Sequence, residues 1–163
     1  MRARLIAIVV VIAAVSFAMP PASQAFDWSK AFGGPGAQEQ FHTFKLIHVK
    51  DLKNLIDNHT PKLHIYDANA PETREKYGVI PGARLIQAPD GYRVSTTLPA
   101  AKNDPLVFYC ANPVCIASHE AARRAIAAGY TDVSVMGDGI MGWKAAGQPT
   151  VSAAAAGAAS KQG

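Results

Sequence analysis

The chain has 163 residues, 49% hydrophobic and 17% charged, with a formal net charge of +4 and two cysteines. That length holds one ordinary domain, and the apolar content predicts a packed core. No Lys/Arg cluster is longer than Arg123-Arg124, so no nucleic-acid footprint is present, and two cysteines within six residues do not make a disulfide scaffold.

Arg2 and Arg4 precede an apolar run from Leu5 to Met19, followed by small side chains at Ser23 and Ala25. The run is shorter than a membrane-spanning helix needs, and the small residues stand where signal peptidase requires them. Residues 1–25 are expected to be a signal peptide cut after Ala25, giving a periplasmic or secreted protein with no stable membrane insertion. An uncleaved anchor is the alternative. Cleavage leaves fourteen Lys and Arg against twelve Asp and Glu, a charge of +2, so part of the basic character belongs to the signal. Residues 26–41, with Gly33-Gly34-Pro35-Gly36, are expected to form a flexible leader. The domain is expected over 42–150, and the Ala-rich stretch 151–163 is expected to be a disordered tail.

Phe44 to His48 predicts a first strand. Asp51 then opens a helix with Leu52, Leu55 and Ile56 on one face. Leu63 to Asp67 predicts the second strand, and Asn69 is expected to cap a helix that starts at Pro71 and stops near Gly78. Ala83 to Ile86 and Leu106 to Tyr109 predict the third and fourth strands. Ser118 to Ala128 is the clearest helix, with Glu120 and Arg124 spaced for an ion pair. Val133 to Met136 predicts the fifth strand. Strands alternating with helices predict an α/β fold with a central parallel five-stranded sheet and helices on both faces. Ligand sites of such sheets lie past the C-terminal strand ends, where Cys110 stands.

The loop after the fourth strand reads Cys110-Ala111-Asn112-Pro113-Val114-Cys115-Ile116-Ala117 before Ser118. Backbone N–H groups of a strand-to-helix loop converge, and the helix dipole adds positive potential. A cysteine there is expected to have a lowered pKa, to be partly thiolate, and to act as nucleophile or persulfide carrier. The bland alternative is a buried, inert thiol.

Tyr66-Asp67, Gly78-Val79-Ile80-Pro81-Gly82-Ala83, the Tyr109-Cys110 loop, Ala128-Gly129-Tyr130, Gly137-Asp138-Gly139 and Trp143 together resemble a rhodanese domain in order and spacing, over about residues 43–149. The resemblance implies a rhodanese-like α/β sheet sandwich with a sulfurtransferase-type cysteine at Cys110. In small exported relatives it implies a periplasmic sulfur-handling role. Three departures stand out. The usual Asp-x-Arg is Asp67-Ala68-Asn69, Val79 replaces a His, and the loop is two residues longer than a common form and lacks Lys or Arg. A dianion such as thiosulfate has only backbone dipoles to bind there, so weak thiosulfate activity is expected. A small sulfur donor, a thiol acceptor or a partner protein's thiol is the expected reactant.

Cys115 is expected to serve as a resolving thiol, able to attack a persulfide on Cys110, or merely to pack as a small hydrophobe. Ala111, Asn112, Pro113, Val114, Ile116 and Ala117 form the expected substrate-binding loop. His119 completes a Cys-x4-Cys-x3-His set, but no familiar finger spacing or fourth ligand is present, so neither a metal nor another cofactor is expected. His119 is expected to be exposed. His42, His48, His59 and His64 have no acidic or cysteine neighbours that suggest a site. A phosphatase reading needs Arg six positions after the cysteine, where Ile116 stands. Two other readings remain: a thiol–disulfide redox protein using Cys110 and Cys115, and a non-catalytic binding module.

Overall fold

A computed structural model describes residues 43–86 and 92–159. The expected signal peptide, the leader and residues 160–163 of the expected tail lie outside the described residues. The elements run β1 (Lys45–Ile47), α1 (Val49–Asp57), β2 (His64–Asp67), α2 (Pro71–Tyr77), β3 (Arg84–Leu85), α3 (Val94–Thr97), β4 (Leu106–Tyr109), α4 (Ala117–Ala127), β5 (Val133–Met136), α5 (Gly139–Ala145) and α6 (Ala153–Ala159). All five strands pair in parallel in the order β1-β5-β4-β2-β3. β4 is central, with His64 to Asp67 of β2 in register with Leu106 to Tyr109.

Alternation along β4 divides the core. Leu106, Phe108 and Cys110 face a cluster with Ala121, Ala122 and Ala125 of α4, whose small side chains let the helix lie close to the sheet. Val107 and Tyr109 face the other cluster, with Leu52, Ile140, Trp143 and Ala156. All four β4 residues are buried, as a strand covered on both faces requires. At about 1.5–3 kcal/mol for each large apolar side chain buried, this strand is a main anchor of the fold.

The helix ends differ from expectation. α1 begins at Val49, two residues before Asp51, because the Asp51 carboxylate accepts the His48 backbone N–H at 2.9 Å. Asn69 does not cap α2; Ala70 occupies that position, with Pro71 at the first turn. Glu120 pairs with Arg123 rather than Arg124, and Arg124 instead donates to the Tyr92 carbonyl at 2.9 Å and lies over the Tyr92 ring.

The expected disorder from residue 151 is also corrected. Val151 and Val79 exchange two backbone bonds of 2.9 Å, and α6 follows, with Ala156 buried in the second core cluster. An all-Ala face is too small to register as an apolar stripe, yet small side chains suit close packing. Gly78, at φ +77°, permits this junction, since a Cβ there would lie 2.8 Å from Thr150. Val79, where the resemblance led to a His, is fully buried in the same cluster. Among the described residues, no helix is long and apolar enough to cross a membrane.

Candidate active site

Cys110 follows β4 directly, and its backbone is pinned from the neighbouring strand's side. The Ile140 N–H donates to the Cys110 carbonyl at 2.8 Å, and the Met141 N–H to the Ala111 carbonyl at 3.0 Å. This requires close approach of two backbones. A Cβ on Gly139 would sit 2.5 Å from the Ala111 carbonyl and the Asn112 nitrogen, and φ is +65° there. Only glycine fits.

The Cys110 side chain is 2% exposed. The Ser118 hydroxyl donates to its Sγ at 3.3 Å, and the Cys110 thiol donates to the Cys115 carbonyl at 3.2 Å. Burial first, then Cys115, push the thiol up to about 11, against the lowering effect of the Ser118 hydroxyl and backbone N–H. The sequence-based expectation of a lowered pKa is therefore corrected: desolvation of the thiolate outweighs the donors at the head of α4.

Cys115 stands 2.6 Å from Cys110. Both are free, Cys110 buried and Cys115 partly buried. A turn brings them together, with the Asn112 carbonyl accepting the Cys115 N–H and the Asn112 side-chain oxygen accepting the Val114 N–H, each at 3.1 Å. Cys115 also packs on the first core cluster, so the packing reading and the reactive reading both have a physical basis. Of the remaining loop residues, Ala111, Asn112 and Ala117 are partly buried and Pro113 is exposed. Val114 and Ile116 project outward, 87% and 69% exposed. Asn112 and Pro113 also form one wall of an apolar groove of about 780 Å³ with Val49, Met141 and Ala145, which Cys110 does not line.

Sequence reasoning missed three features. Ser118 was read as a helix start, whereas it is also the donor to the Cys110 sulfur; its place at the head of the following helix was the available signal. Arg74 supplies the cation that Asn69 lacks. Its Nε reaches the Asp67 carboxylate at 3.1 Å, and one terminal nitrogen reaches the Asp67 and Ile86 carbonyls. The Tyr109 hydroxyl donates to the other Asp67 oxygen at 2.6 Å and accepts the Ile80 N–H at 3.0 Å. Burial and the Asp67 charge hold the Tyr109 hydroxyl well above its ordinary value. Finally, His48 has an acidic neighbour after all: its Nδ1 lies 3.2 Å from Asp138, which also accepts the Val49 N–H at 2.9 Å. The residues are ninety positions apart, beyond any sequence motif.

His119 is not exposed as expected. Its ring packs edge-on against Phe44 at 5.3 Å, and it is partly buried. Among the described residues, no three His, Cys, Asp or Glu side chains gather to hold a metal.

The sequence profile of the rhodanese-like domain matches residues 48–146. This chain belongs to the rhodanese-like domain family. No curated protein matches the sequence. Among solved structures, the chain is similar to the BH2092 protein from Bacillus halodurans, with 18% identity and a TM-score of 0.57 over 77% of this chain and 87% of that one. The rhodanese-like domain of the Alr3790 protein from Anabaena is 27% identical, with a TM-score of 0.53 over 66% of this chain and 78% of that one. Thiosulfate sulfurtransferase from Pseudomonas aeruginosa is 20% identical, with a TM-score of 0.52 over 67% of this chain but 20% of that one, a likeness of fold. The family supports sulfurtransferase activity, and the five-stranded parallel sheet agrees with the rhodanese-like fold.

Proposed function

We propose that this chain is an exported sulfur-transfer protein that carries a sulfur atom as a persulfide on Cys110, with Cys115 as its companion thiol. The observation that carries the reading is the placement of Cys110. A strand end presents its sulfur to two donors of Ser118, with a second free thiol 2.6 Å away. A persulfide is more acidic than a thiol, so the same donors would stabilise the charge it bears. Arg2, Arg4, the apolar run to Met19 and the small residues Ser23 and Ala25 support export to the periplasm or beyond.

The loop from Ala111 to Ala117 holds no cationic side chain. That favours a small persulfide, a thiol or a protein thiol over thiosulfate as reactant. The decisive experiment is mass spectrometry of the protein after treatment with a sulfur donor: a gain of one sulfur atom on the Cys110–Cys115 peptide is expected. Its absence overturns the reading. Steady-state thiosulfate:cyanide assays are expected to show weak turnover, and fast turnover at low-millimolar thiosulfate would overturn the substrate assignment.

The short approach of two free cysteines favours one second reading, a thiol–disulfide redox protein. Reversible Cys110–Cys115 oxidation without any persulfide would select it.

A further inference from the structure

We infer that Cys115 is the thiol that meets the external sulfur donor or acceptor, and that Cys110 is an inner station reached only through it. This rests on the sulfur-transfer reading and assigns the order of its steps. Cys110 is 2% exposed, and its thiol donates to the Cys115 carbonyl, so neither its surface nor its proton is presented to solvent. Cys115 packs at the edge of the first core cluster and is only partly buried, between Val114 and Ile116, which are 87% and 69% exposed. The two cysteines stand 2.6 Å apart, so a sulfur atom bound to the outer one already lies beside the inner one.

The donor class is an organic persulfide, R–S–SH, which needs no cationic clamp. In the first step the Cys115 thiolate attacks the outer sulfur of the donor. A bond forms between Cys115 and that sulfur, the bond to R–S breaks, and R–S⁻ leaves and takes up the proton that Cys115 lost. In the second step the Cys110 thiolate attacks the same outer sulfur. Cys110–S–SH forms, and Cys115 leaves as thiolate and takes up the proton from Cys110. Each step exchanges one S–S bond for another, so neither needs an oxidant or reductant. Ser118 stands where it can hold the charge on the Cys110 sulfur in the second step. Delivery to an acceptor thiol is the reverse sequence.

Burial screens Cys110 from an outside donor, whereas Cys115 already stands beside it. Nothing in this scheme requires the buried cysteine to surface.

The test treats the full chain anaerobically with glutathione persulfide, quenches it with iodoacetamide at intervals, and locates the added sulfur by peptide mass spectrometry. In the unsubstituted protein the label is expected first on Cys115 and later on Cys110. Cys110→Ser should still load Cys115, at a rate within about three-fold of total uptake, whereas Cys115→Ser should load Cys110 at least about ten-fold more slowly. The order of labelling in the unsubstituted protein stands as evidence even if a variant folds poorly. Label appearing first on Cys110, or Cys115→Ser loading Cys110 at the unsubstituted rate, overturns the inference and leaves sulfur transfer intact. Uptake by neither cysteine in the unsubstituted protein overturns both.

Discussion

Tyr109 and Cys110 are consecutive residues at one strand end, and they face opposite sides of the sheet. On the Tyr109 side, a carboxylate, a guanidinium and a phenol satisfy one another: Asp67 receives Arg74, Tyr109 and the Asn69 backbone N–H. On the Cys110 side, a thiol has two sulfur hydrogen bonds and another thiol for company. Burial raises the proton affinity of both groups. The difference is what opposes change. Tyr109 is held by burial and, beside it, a fixed Asp67 charge that no ordinary event removes, whereas Cys110 is held chiefly by burial, which a new bond at sulfur or a shift of the loop relieves. The same physical term makes one residue a staple and leaves the other available for chemistry.

The contrast breaks most forcefully at Arg74. Arg74→Met leaves the Asp67 charge buried without its cation, and a loss of about 3–5 kcal/mol is expected in urea unfolding. A loss below about 1 kcal/mol would mean the network is ornamental to stability.

Gly139→Ala attacks the support of the other side. A Cβ against the Ala111 backbone, in a left-handed conformation, is expected to cost about 1–3 kcal/mol. It should also change the alkylation rate of Cys110, since the loop must move to admit it. Unchanged alkylation with lost stability would separate the glycine from the site.

Ser118→Ala is smaller, about 0.5–1.5 kcal/mol by the usual worth of one hydrogen bond. Its signature is in pH. Removing a donor that lowers the Cys110 thiol moves that thiol further up, so the alkylation profile of Cys110 should shift to higher pH. A shift downward would refute the assigned hydrogen bond.

Cys110 itself links folding to alkaline pH. The native thiol holds its proton to about 11, while an exposed thiol releases it near 9.0. The native state therefore binds more protons in that window, and stability falls as pH rises through it. Cys110→Ala should flatten the decline between those pH values relative to the unsubstituted protein, with the buried tyrosines providing a common background. An identical slope in both proteins would count against the raised thiol. Least of all, Val114→Ser should change stability by no more than about 0.5 kcal/mol, because that side chain is exposed.

Much of this architecture was legible in the sequence. β4 and β5 fall where their short apolar runs stand, and α4 differs from its expected bounds by one residue at each end. Cys110 at the strand end followed from the same alternation. α5 was hidden because Gly-Ile-Met-Gly-Trp has two glycines in one short helix, and tertiary packing of Ile140 and Trp143 overrides that poor propensity. Arg74 escaped notice because the arginine was sought at position 69, whereas the cation comes from the next helix. The direction of the thiol shift was lost for a related reason. A loop's dipoles can be inferred from its neighbours in sequence, but the depth of burial depends on α4, β4 and the turn at Asn112 packing together.

Among the described residues the sheet contains no hairpin, and its first strand is joined only to its last: Lys45, Leu46 and Ile47 of β1 meet Ser134, Val135 and Met136 of β5. Such remote pairing makes folding slow relative to local contacts, because a long loop must close before the pairing rewards it. The amides of Ile140 and Met141, which pin Cys110 and Ala111, come later still in the chain. During synthesis, both thiols are thus made before the segment that seats them. The segment after β5 turns the two cysteines into one organised loop, and any thiol chemistry before it is made meets a loop without those backbone pins.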